Sequence, residues 1–147
     1  MSDAQQTPHG EDLLVWLESA ITTREQAAQH APGSNWRAED ADTGYGEAGW
    51  ENWKITSTTP AGTSRSIAGP GYEGGGIFGE EAAQHIALND PESVLRRCTA
   101  DRRIMERHVP NYSEPAGALI CGYDGRRWPC SDITDLAEGY DWAEAQR

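Results

Sequence analysis

The chain is short of cations. Across 147 residues, 12 Lys and Arg stand against 24 Asp and Glu, a formal net charge of -12. Affinity for duplex nucleic acid is carried largely by neutralising phosphates, so general duplex DNA binding is excluded. Long apolar runs are missing too. No stretch approaches the roughly 18 apolar residues that a membrane-spanning helix needs, and no membrane partner is expected. Residues 1–10 are polar and lack the apolar segment of a secretory signal, which points to a cytoplasmic protein. Phenylalanine occurs once, and hydrophobic residues make up 37% of the chain. The core must lean on the six Trp and five Tyr, which bring large apolar area per residue. Cysteine occurs three times, at Cys98, Cys121 and Cys130. An odd count without a secretory signal favours free thiols or metal ligands over disulfides. Internal repeats, heptads, a Walker A loop, a nucleophile elbow, an H-E-x-x-H helix and an EF-hand loop are all absent.

The patterning that is present predicts a single α+β domain over residues 10–147, after a disordered tail at 1–9. About four helices pack on a small antiparallel β-meander with Gly-rich loops. A first helix is expected over 11–30, where Leu13, Leu17, Ala20, Ile21, Arg24 and Ala28 share one side. Ala31-Pro32-Gly33 stops it. Residues 33–79 hold 11 of the 16 glycines and read as strands joined by turns, at 35–39, 50–58 and 64–68. In the second strand, Trp53 and Ile55 are expected on one face, with Asn52, Lys54 and Thr56 on the other. A sheet this small needs a helix over it, and the first helix is the expected cover. A short helix follows at 80–89, with His85 and Ile86 facing the core. Asp90 then caps a further helix, with Pro91 at its first position. It should run to His108 with Leu95, Cys98, Arg102 and Met105 in one stripe. Residues 110–130 read as a loop. Ser131 or Asp132 caps a last amphipathic helix bearing Ile133, Leu136, Ala137 and Tyr140.

Four features bear on chemistry. Gly69-Pro70-Gly71-Tyr72-Glu73-Gly74 matches G-x-G-x-x-G, but the dinucleotide fingerprint needs a helix opening on it. Gly75 and Gly76 oppose that, so a loop is the expectation. The metal-ligating set is His108, Cys121 and Cys130, with Cys98 or His85 as a fourth ligand, because zinc takes four soft or borderline donors in a tetrahedron. A C-x8-C spacing does not by itself set the bite, and buried Cys is more often a small hydrophobe. A catalytic Cys98–His85 pair is disfavoured, since Cys98 falls on an apolar stripe and a reactive thiolate needs an exposed electropositive site. Finally, five arginines (Arg96, Arg97, Arg102, Arg103 and Arg107) gather on one helix. Residues 85–110 carry a net +1, leaving -13 for the rest of the chain. Such arginines commonly pair with a protein's own carboxylates and cover apolar surface, and Arg102 and Arg103 are expected to meet carboxylates of the first helix.

Gln84-His85-Ile86-Ala87-Leu88-Asn89-Asp90-Pro91-Glu92-Ser93-Val94-Leu95-Arg96-Arg97, followed by Arg102-Arg103-Ile104, resembles a segment found in a family of small uncharacterised actinobacterial and actinophage proteins. Trp128-Pro129-Cys130, followed by Ile133 and Leu136-Ala137, is similar to that family's C-terminal W-P-C motif and amphipathic helix. The likeness spans roughly residues 10 to 145, and its two motifs are its specific part. It is a domain of unknown function, so the resemblance implies no activity. It does imply an actinobacterial or actinophage origin and an intracellular location. Some members carry a C-x-x-C ahead of W-P-C that would make a zinc knuckle; here Cys121 stands there without a second Cys.

These readings favour a non-enzymatic interaction protein of an actinophage or its host, one that binds a host or phage protein. Trp and Arg dominate interface hot spots, so Arg96, Arg97, Arg103, Arg107, Trp50, Trp53 and Trp142 are the expected contact residues. The first alternative is a small zinc-binding protein using His108, Cys121 and Cys130. The second is an acidic nucleic-acid mimic, for which only Glu39, Asp40 and Asp42 cluster. No catalytic residue is assigned, and an enzyme is the least favoured class.

Overall fold

A computed structural model describes residues 10–41, 52–70 and 76–142. The expected tail at 1–9 lies outside them, as do Asp42 and Trp50. Among the described residues the architecture is α+β, with four helices and two small antiparallel sheets. The described residues fall into two compact units, one of 10–25 with 97–142 and one drawn from 26–96. No helix among the described residues is long and apolar enough to cross a membrane.

Helix α1 spans Gly10–His30. Leu13, Leu17 and Ile21 recur every fourth residue and are buried, while Val15 on the other side is 72% exposed. A 3.6-residue repeat puts such positions on one stripe. Helix α3 spans Pro91–Arg107, and α4 spans Ser131–Glu138. Cys98, Asp101 and Met105 of α3 are buried, as are Ile133, Leu136 and Ala137 of α4, with Tyr140 just beyond it. Most of each expected stripe is buried, although Ala20, Leu95 and Arg102 are only half-buried and Arg24 is exposed. The residue at the N-cap of α4 is Cys130, with extended backbone and no side-chain cap. Ser131 is already helical, so neither it nor Asp132 is the cap.

Where a loop was expected between α3 and α4, the chain forms a hairpin. Strand β5 (Pro110–Ser113) pairs antiparallel with β6 (Ala118–Cys121), in the register Pro110↔Cys121 through Ser113↔Ala118. Pro110 is tolerated because the first residue of a strand need not donate to the ladder. Gly117 at φ 59 closes the turn, in a region that favours glycine.

The other unit holds the larger sheet. Strands β1 (Trp36–Asp40), β2 (Asn52–Thr58) and β3 (Ser64–Ala68) form the expected antiparallel meander, and the short β4 (Ile77–Phe78) pairs with the start of β2. The simple two-face alternation expected for β2 does not hold. Ile55, Thr56 and Ser57 are all buried. The β2–β3 register shifts between Ile55 and Thr56, and such a bulge re-aims side chains. Helix α2 (Glu80–Leu88) lies against β1, β2 and β4, with Ala83 fully buried. Its contact residue is small, so His85 and Ile86 stay exposed instead of entering a core.

Asp90 caps α3 as expected. Its Oδ1 accepts the Ser93 N–H at 2.7 Å, and its Oδ2 accepts the Trp36 N–H at 3.3 Å. One carboxylate thus fixes both the helix start and the first strand.

Candidate metal centre

His108 lies one residue past α3. Its N–H still bonds to the Ile104 carbonyl at 3.1 Å, so the helix geometry aims its ring. Cys121 ends β6. Its backbone is held on both sides, the N–H donating to Arg126 O at 2.7 Å and the C=O accepting from Gly125 N at 2.9 Å. Those bonds curl residues 121–126 into a tight turn, with Gly125 at φ 71. The chain then returns beside β6. Ile120 bridges Arg127, and Trp128 N donates to Leu119 O at 3.0 Å. The return leg delivers Cys130 to the entrance of α4, opposite Cys121. Eight intervening residues set no distance between the two thiols; the backbone hydrogen bonds do.

The result is a convergent donor set. The Nδ1 of His108 lies 3.4 Å from Cys121 Sγ and 3.4 Å from Cys130 Sγ. Asp124, within the turn, completes a group of four whose ligand atoms all lie within 4.8 Å of one another. His108, Cys121 and Cys130 are buried and Asp124 is exposed. Zn–S near 2.3 Å and Zn–N of about 2.0–2.1 Å, at a tetrahedral angle, separate nitrogen and sulfur by about 3.5 Å. The two observed separations fit that value. A neutral imidazole nitrogen has one lone pair to offer, so one S–H could bond to it, whereas a central cation accounts for both thiols at the same distance.

The surroundings favour a cation as well. His108 Nε2 faces Asp132 Oδ2 at 3.5 Å. That carboxylate attracts the Nε2–H tautomer and leaves Nδ1 as the donor, the outer arrangement found around metal-bound histidines. The Tyr123 ring packs on the imidazole at 4.7 Å between centroids. The backbone N–H of Arg126 donates to Asp124 and holds its carboxyl below the usual range, with a contribution from the Cys121 thiol. Burial pushes the Cys130 thiol up. A bound cation is what would draw a proton from such a thiol. All three cysteines are free.

The three sequence-predicted ligands come together, but the fourth is neither Cys98 nor His85. Cys98 lies on α3 with its Sγ 3.8 Å from the Ile21 carbonyl, and burial raises its pKa. His85 is on the exposed side of α2. Asp124 was missed. Its signal was there: Cys121-x2-Asp124 has the spacing of a C-x2-C knuckle, with a carboxylate in the second position.

The other singled-out residues fall elsewhere. Arg96 pairs with Glu92 at 2.7 Å and Arg97 with Asp101 at 2.9 Å, both within α3. Arg102 bridges to α1, meeting Glu18 at 2.9 Å and Glu25 at 2.8 Å. Arg103 is exposed, with no carboxylate against it among the described residues. The Arg107 guanidinium sits 5.8 Å above the Tyr123 ring. Trp53 is half-buried on β2, and Trp142 packs edge-on against Trp16 at 4.7 Å. Of the G-x-G-x-x-G motif, residues 71–74 lie outside the described residues, and the next helix among the described residues begins at Glu80.

Residues 10–142 match the model of a family of unknown function, DUF6221. The chain belongs to that family. The match covers both sheets, all four helices and every donor of the His-Cys-Asp-Cys cluster. Comparison with curated proteins and with solved structures returns no match.

Proposed function

We propose that this family member is a zinc-binding protein, with one ion held by His108 Nδ1, Cys121 Sγ, Cys130 Sγ and one Asp124 oxygen. The observation that carries the reading is the placement of both sulfurs at 3.4 Å from a single imidazole nitrogen. Two thiolates, an imidazole and a carboxylate form a donor set suited to zinc, a borderline-soft ion with no geometric preference of its own. Magnesium and calcium are disfavoured because they seek oxygen.

The role that fits best is structural. The donors come from the end of α3, the end of β6, the turn after it and the cap of α4. One ion would tie these four pieces together, where the chain otherwise offers a hairpin of two four-residue strands and an eight-residue helix. Structural zinc contributes directly to folding free energy.

Elemental analysis of protein purified without chelator is expected to give one zinc per chain. Cys121→Ser, Cys130→Ser and His108→Ala should each abolish stoichiometric binding, while Cys98→Ser retains it. A zinc content near zero in a folded wild-type protein that also takes up no added zinc sinks the proposal. So does full retention of the ion in the Cys121→Ser, Cys130→Ser double variant.

A further inference from the structure

Three of the four donors are closed to water and one is not. His108, Cys121 and Cys130 are each no more than 3% exposed, whereas Asp124 is at the surface. Asp124 is also committed elsewhere. Its Oδ1 accepts the Arg126 N–H at 2.9 Å, a bond that does not depend on a cation. Thiolate is the softer donor and suits zinc beside two thiolates better than a carboxylate does. The weakest ligand therefore stands at the position that opens to solution. Beside it, Tyr123 is 64% exposed, Arg107 lies over its ring and exposed Arg126 is near enough to act on Asp124, while Asp132 stands against the far nitrogen of His108.

We infer that the fourth position of the centre is exchangeable and serves as a binding site for a small anionic thiol. This rests on the zinc reading above. The incoming sulfur binds as thiolate, its proton passing to solvent buffer, and the zinc–sulfur bond forms as the zinc–oxygen bond to Asp124 breaks. No electron is transferred. The ligand's own negative charge is met by Arg107 and Arg126, and Asp124 keeps its backbone hydrogen bond to Arg126 when released.

The test uses the full chain loaded with cobalt(II), a spectroscopic substitute for zinc, titrated with mercaptoacetate or with acetate. Mercaptoacetate is expected to raise the sulfur-to-cobalt charge-transfer band by about half, as two sulfur ligands become three. Acetate should leave it unchanged. Asp124→Cys closes the position: it should start at the higher intensity and ignore the thiol. Asp124→Asn should still bind cobalt and respond at lower thiol concentration. The inference is overturned by a wild-type spectrum that stays constant at saturating thiol, by an equal response in Asp124→Cys, or by loss of all cobalt bands through stripping. Failure to take up cobalt or zinc at all would overturn the zinc reading and this one together. Stoichiometric uptake with a silent titration overturns this one alone.

Discussion

Asp101 is the most deeply buried carboxylate among the described residues, at 2% exposure. Such a charge is tolerated only when it is paired and hydrogen-bonded. Tyr140 supplies an O–H at 2.6 Å and Arg97 an Nε–H at 2.9 Å. Burial pushes the Tyr140 phenol above its ordinary value, and the Asp101 charge adds to that rise. The raised pKa means that the folded state resists losing this proton more than the unfolded chain does. The stabilisation is thus complete below the unfolded tyrosine value near 10 and is lost as pH climbs beyond it. Removing the bond with Tyr140→Phe should cost about 1.5–3 kcal/mol at neutral pH, the range for a hydrogen bond to a charged group. The variant's unfolding midpoint should also decline less steeply above pH 10 than the wild type's; parallel decline in both would contradict this account. None of this pairing is readable in the sequence, where Asp101 looks like one more surface acid of a charged helix. His108, Cys121 and Cys130 were recognisable as ligand types. Asp124 carried only its two-residue spacing from Cys121, a weak signal where carboxylates are abundant and proximity separates a ligand from a solvated side chain.

At the scale of elements, the helices were legible because their signals are local. Apolar residues every third or fourth position, a Pro-Gly stop after α1 and an Asp-Pro start to α3 all act within a few residues. The Asp90 cap can be weighed directly. Asp90→Ala removes acceptors from both Ser93 and Trp36 and should cost about 1–2 kcal/mol in a denaturant titration; a change within error would deny it that role. The β5–β6 hairpin was hidden for the opposite reason. Its strands are four residues each, too short for a period, and Pro110 and Gly117 read as loop residues. Pairing between strands rests on partners distant in the chain. If zinc ties this hairpin to α3 and α4, chelation should speed amide hydrogen exchange at Cys121, Trp128 and Thr134 far more than at Leu17 or Ile21. Uniform acceleration along the chain, or none, would count against the ion as a local tie.

For the whole molecule the decisive quantity is the net charge of -12. Like charges on one chain repel, and that self-repulsion works against compactness. Raising the ionic strength from about 0.01 M to about 0.1 M shortens the screening length from about 30 Å to about 10 Å. The Tm of the zinc-loaded protein should rise over that interval; a fall would mean that ion pairs such as those of Arg102 with Glu18 and Glu25 outweigh the repulsion. The charge, the four helices, the Asp90 cap and the strand-rich middle follow from the order of residues alone, because composition is additive and periodicity and capping are short-range. Which helix covers the sheet, how the bulge in β2 re-aims its side chains, and the meeting of Cys121 with Cys130 across a curled turn were settled only by tertiary packing. A donor set for a cation is defined by distances of a few ångströms between residues far apart in sequence, and backbone hydrogen bonds of the folded chain are what impose those distances.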